Sequence, residues 1–128
     1  MTARYQQQQA RQEALIMLGR DLTRRSKAKC ELCGIAGESL FAIEVEPVPA
    51  HPDPDHAVFL CALCKDGNAG GKLDPNRWRF LESMIWSEIP PVQVAAVRLC
   101  RRLEDAGVGW AGDVLAGLYL SPEVEAML

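Results

Sequence analysis

Two cysteine pairs constrain this chain more than any other feature in it. Cys30-Glu31-Leu32-Cys33-Gly34 and Cys61-Ala62-Leu63-Cys64-Lys65 each place thiols at i and i+3, and the 27 residues between the pairs are enough to fold back and bring four sulfurs to one point. Thiolates at this spacing are the ligand set of a tetrahedral four-cysteine zinc site. The competing reading is a pair of redox CxxC centres, but a thioredoxin-like centre needs one CxxC following a strand in a βαβ context, and no such context is present. Cys30, Cys33, Cys61 and Cys64 are therefore the expected metal ligands, with Zn2+ preferred to iron. A closed four-thiolate set leaves no open coordination position, so it is expected to fold the protein rather than to activate water.

The segment between the pairs alternates like a hairpin. Phe41, Ile43 and Val45 mark a short strand ended by Pro47 and Pro49, residues 50–56 form a proline-rich loop, and Ala57 to Leu60 form a second strand delivering Cys61. Gly34 supplies the permissive backbone that a metal knuckle needs, and Gly67 is expected to release the second knuckle in the same way. Knuckle, strand, loop, strand, knuckle is a zinc ribbon or the front half of a treble clef. Lys27, Lys29 and Lys65 are the cations expected to offset the charge of −2 on a four-thiolate Zn2+ site. Cys100 lies in a helical apolar pattern and is read as a small buried hydrophobe.

The flanks read as helices. Ala14, Leu15, Leu18 and Leu22 line one face of a helix from Thr2 to about Thr23. Asp74-Pro75 opens a helix to about Ser87 striped by Trp78, Leu81 and Ile85. Pro90 starts another, with Val92, Ala96, Leu99 and Leu103 inward and Arg98, Arg101 and Arg102 outward, ended by Gly107. Trp110 to Leu120 and a Ser121-capped segment to Leu128 complete the set. The fold class is therefore α+β: a small four-cysteine, treble-clef-like β-hairpin module packed on a mainly α-helical body. Residues 1–26 form the N-terminal helix, 27–72 the zinc module and 73–128 the helical region, together one compact unit.

The net charge of −3 conceals an asymmetry. Residues 1–30 hold seven basic side chains against two acidic ones, leaving −8 for the remainder. Such an arm suits nucleic acid, or it docks on its own body or on a second subunit. No aromatic residue interleaves the basic ones, so a solvated helix face is favoured over nucleic acid. The apolar run Ala14 to Leu18 is too short for a secretory signal, and nothing approaches the roughly 20 apolar residues of a membrane span, so a cytoplasmic location without membrane contact is expected. Gly70-Gly71-Lys72 is not a phosphate loop, because Asp66 and Leu73 stand where that motif needs Gly and Ser or Thr.

Two resemblances add to this reading. Lys29-Cys30-Glu31-Leu32-Cys33-Gly34, Val45-Glu46-Pro47, Leu60-Cys61-x-x-Cys64, Leu73-Asp74-Pro75-Asn76-Arg77-Trp78-Arg79 and the run Met84 to Val94 resemble the zinc-ribbon members of the PhnA family, named for its association with alkylphosphonate-utilisation gene clusters. The resemblance spans about residues 24–120 and implies a zinc-binding protein, without the β-barrel domain that many members carry. The zinc module alone is similar to HNH endonucleases. Glu44 and Glu46 occupy the segment where those enzymes carry a histidine pair, His56 stands at their asparagine position, and Lys65 stands where their last histidine falls. The expectation is a non-catalytic zinc-binding protein of the PhnA type acting through a protein partner, self-association included. The alternative is a divergent HNH-like nuclease or phosphonate hydrolase using His51, His56, Glu44 and Glu46 around a second metal.

Overall fold

A computed structural model describes residues 3–128. Helix α1 spans Ala3–Ser26, so its expected start at Thr2 lies outside the described residues. It ends in a Schellman turn: Lys27 takes φ 57°, Ala28 N–H donates to Thr23 O at 3.0 Å and Lys27 N–H to Arg24 O at 3.4 Å. That turn aims the chain into the first cysteine pair. Strand β1 (Leu40–Glu44) pairs antiparallel with β2 (Ala57–Cys61), Ala42 facing Phe59, and a 3-10 turn at Pro54–His56 precedes β2.

Every residue of β2 is buried, because the hairpin is covered on both faces. On one face Leu18 and Leu22 of α1 pack on Ala57 and Phe59, with Leu15, Leu40 and Ala42 at the margin. On the other, Val58, Leu60, Ile43 and Val45 join the main core. The hairpin is thus the middle layer between α1 and the helical body. Of the expected α1 face, Leu18 and Leu22 are buried, while Ala14 and Leu15 are half-buried.

Immediately after Cys61 the chain turns into α2 (Ala62–Asn68), which places Cys64 in a first helical turn. This corrects the reading of Gly67 as the release of a second knuckle. Gly67 is buried inside α2 and is small for a different reason: a Cβ there would stand 2.8 Å from Trp78 Cη2 and 3.0 Å from Leu73 Cδ2. Gly67→Ala is expected to cost about 1–3 kcal/mol through overpacking, measurable by urea unfolding followed by tryptophan fluorescence.

The helix expected from Asp74 to Ser87 is shorter and part 3-10, its backbone staying helical from Arg77 through Met84. Asp74 Oδ1 accepts from Asn76 N–H, a 3-10 turn covers Arg77–Phe80, and α3 is one turn, Leu81–Met84. The expected stripe is nonetheless buried: Trp78, Leu81 and Ile85 all lie in the main core. Trp78 packs against Gly67, and Arg77 reaches the cysteines.

Helix α4 (Pro90–Asp105) is the core's axis and is buried continuously from Pro91 to Val97. Burial on every side makes it more enclosed than one stripe implies. Of the arginines expected to face outward, only Arg101 is exposed. Arg98 donates to Met127 O, and Arg102 donates to Gly67 O and Gly71 O, tying α4 to both neighbours. Helix α5 runs Gly109–Ala116, stopping short of the expected Leu120. Past Gly117 the chain leaves helix, so that Leu118 and Leu120 pack on the core while Tyr119 faces solvent. Ser121 caps α6 (Pro122–Met127), accepting from Val124 N–H. Among the described residues no helix is long and apolar enough to cross a membrane.

Candidate metal centre

The first pair enters from a tight knuckle. Gly34 takes φ 78°, its N–H donates to Cys30 O at 2.9 Å, and Cys30 N–H closes the loop on Ile35 O at 3.0 Å. The second pair comes from the end of β2 and the start of α2. Knuckle, hairpin and helix with ligands at the helix start is the treble-clef arrangement.

All four cysteines are unpaired in disulfides, and their sulfurs lie within 4.8 Å of one another. Zn–S bonds of about 2.3 Å in a tetrahedron separate sulfurs by about 3.8 Å. Cys33 Sγ and Cys61 Sγ stand 3.7 Å apart, so the donor set fits a single tetrahedral metal. Cys30, Cys61 and Cys64 are buried and Cys33 half-buried. The hydrogen bond from Cys64 lowers the Cys30 thiol to about 4, and the same bond pushes Cys64 upward. Burial raises Cys33. A divalent cation held by Cys30, Cys33, Cys61 and Cys64 would require all four as thiolates and would displace their protons.

The cation that hydrogen-bonds the cluster is Arg77. Arg77 sets Nη1 and Nη2 at 3.8 and 3.7 Å from Cys64 Sγ, with its guanidinium 5.0 Å from the Trp78 ring centroid and 5.6 Å from that of Phe80. Lys65 lies instead over the Phe41 ring at 4.2 Å. The sequence signal for Arg77 was its place between Asn76 and Trp78 in the most distinctive run of the chain, but nothing local ties that run to the sulfurs. Arg77→Gln is expected to weaken metal retention about 10- to 100-fold, read by competition with a chromogenic chelator. Lys65→Gln serves as the neutral comparison.

Comparison with protein-family models, with curated proteins and with solved structures found no match. The reading of the site rests on its own geometry.

The residues of the alternative catalytic reading are dispersed. Glu44 pairs with Arg11 Nη2 at 2.6 Å. Glu46 is exposed beyond β1, and both glutamates line a cleft of about 390 Å³ with Asn68, Arg98 and Arg102. His51 lies exposed at a different cleft, against the first half of α1. His56 sits in the 3-10 turn with Nδ1 buried and without a partner. Among the described residues, the four cysteines are the one group of three or more His, Cys, Asp or Glu side chains that could hold a metal ion. Cys100 is fully buried in α4, apart from this group, as its helical pattern implied.

Proposed function

We propose that the protein is a non-catalytic zinc protein of the PhnA type, in which Zn2+ on Cys30, Cys33, Cys61 and Cys64 locks the knuckle to the hairpin and the surface so fixed binds a protein partner. The observation that carries this reading is the closed set of four converging sulfurs with a guanidinium against one of them. Four thiolates complete a zinc shell and leave no position for water or substrate. The PhnA assignment itself rests on sequence likeness, chiefly Leu73 to Arg79 and Met84 to Val94.

The basic arm also favours docking over nucleic acid. Arg11 donates to Glu44 and to Ala50 O, and Arg25 donates to Glu31, Pro54 O and Ala57 O, so two of its cations are spent on the protein's own body.

The test joins metal analysis to an activity assay. One zinc per chain, with DNA and simple phosphonates left intact in the presence of Mg2+ or Mn2+, is the expected result. Hydrolysis that disappears in His56→Ala or Glu46→Gln would replace this reading with the nuclease or hydrolase one.

A further inference from the structure

The two edges of the hairpin are treated differently. Val45 N–H donates to His56 O at 2.8 Å, which sets the phase of the ladder. Bonded and non-bonded pairs alternate along antiparallel strands, so Ile43 exchanges bonds with Val58 and Phe41 with Leu60, while Leu40, Ala42 and Glu44 turn their backbone groups outward. On β2 the outward groups are occupied. Phe59 N–H donates to Glu31 Oε1, Phe59 O accepts from Glu31 N–H, both at 2.8 Å, and Ala57 O accepts from Arg25. On β1 the outward N–H and C=O groups of Leu40, Ala42 and Glu44 have no hydrogen-bond partner among the described residues. From Leu40 to Ile43 the edge carries no proline and no charge, the usual protections of a free edge.

This edge forms one wall of an open groove of about 650 Å³, and the other wall is α1, with Leu15, Ile16 and Arg20. Ile16 is 68% exposed there. The charged residues lining the groove are Arg20 and Lys65, both cationic, with no acid among them. Backbone groups in a row, apolar walls and cationic rims fit one kind of ligand: an extended segment that adds as a third strand, with apolar side chains against Leu15 and Ile16 and acidic ones within reach of the Arg20 and Lys65 rims. We propose that this groove binds an extended, acidic and apolar peptide segment of a partner protein by strand addition to β1. The inference deepens the docking role above by naming its surface and the chemistry of its partner, and it rests on that reading.

The test uses the full-length zinc-loaded protein and a fluorescein-labelled peptide alternating glutamate and valine. Binding is expected by anisotropy, together with slowed amide exchange at Leu40, Ala42 and Glu44. A lysine–valine peptide and a glutamate–valine peptide N-methylated on alternate residues are expected not to bind. The double variant Arg20→Glu/Lys65→Glu is expected to weaken the acidic peptide about tenfold or more, circular dichroism reporting its fold. Absence of binding, equal binding of the N-methylated peptide, or preferential binding of an oligothymidylate would overturn the proposal. So would a dimer in sedimentation whose Ala42 amide is protected before peptide is added. Zinc content and chelator-dependent unfolding, measured on the same samples, keep the two readings apart: loss of peptide binding by protein that holds its zinc removes the groove and leaves the structural metal standing.

Discussion

Cys64→Ser, or exhaustive chelation of the unmutated protein, is expected to abolish cooperative folding. The hairpin has two strands of five residues each, and a two-stranded sheet does not hold itself in water. The knuckle at 30–34 adds only Cys30 and Leu32 to the fully buried core. What joins knuckle, hairpin and α2 at one point is the sulfur cluster, and a structural zinc of this kind contributes on the order of 10 kcal/mol. A domain's whole stability is about 5–15 kcal/mol, so loss of the metal removes most of the margin. Removing one thiolate also leaves its partners crowded without their cation. Thermal unfolding by circular dichroism, with and without chelator and with zinc measured in each sample, reads the effect. Cys100→Ala is the comparison: that thiol is fully buried but outside the cluster, and its removal is expected to cost roughly 1 kcal/mol. Equal melting of the chelated and metal-bound proteins would defeat the structural-zinc reading.

The parts of this architecture that were legible in the sequence are those whose cause is local. The i, i+3 thiols carry their own geometry, and the alternation at Phe41, Ile43 and Val45 specifies a strand. The stripe Val92, Ala96, Leu99 and Leu103 specifies a helix and its inward face. What escaped depends on residues far apart in the chain. Nothing near Gly67 reports that Trp78 will lie on it, so a packing glycine was read as a turning one. Nothing near Asp74 reports that the helical stretch it opens will hold Arg77 against Cys64 across 13 residues of sequence. Charge is the least legible of all. Arg98 and Arg102 fall on the polar side of a helical pattern, yet both bond to backbone carbonyls roughly 30 residues away. The basic arm reads as a solvated helix face, yet Arg11 and Arg25 are spent on the body of the protein itself.

Arg25→Met is expected to be the most damaging substitution outside the cysteines, at about 3–5 kcal/mol. The Glu31 side chain is 3% exposed. Its carboxylate accepts from Arg25 Nε at 2.9 Å, from Arg25 Nη2 at 2.7 Å and from Phe59 N–H at 2.8 Å. Arg25 also donates to Pro54 O at 2.7 Å and to Ala57 O at 2.8 Å. One side chain therefore fastens the end of α1 to the knuckle, the 3-10 turn and β2. Without it, Glu31 is a buried anion with no cation beside it, which is the costly case; a buried pair replaced as a whole by apolar groups is often close to neutral. The double variant Arg25→Met/Glu31→Leu should accordingly recover part of the loss, though not all, because the Phe59 N–H and the Pro54 and Ala57 carbonyls lose their partners. Arg11–Glu44 is the contrasting pair, with Arg11 34% exposed, and Arg11→Met should cost no more than about 1 kcal/mol. Urea unfolding of the singles and the double, at fixed zinc occupancy, gives the coupling energy as a cycle. If Arg25→Met costs no more than Arg11→Met, the knuckle is held by the metal alone and the buried pair only lines it. A large coupling means instead that metal and ion pair each fix one side of the same seven-residue stretch, Arg25 to Glu31.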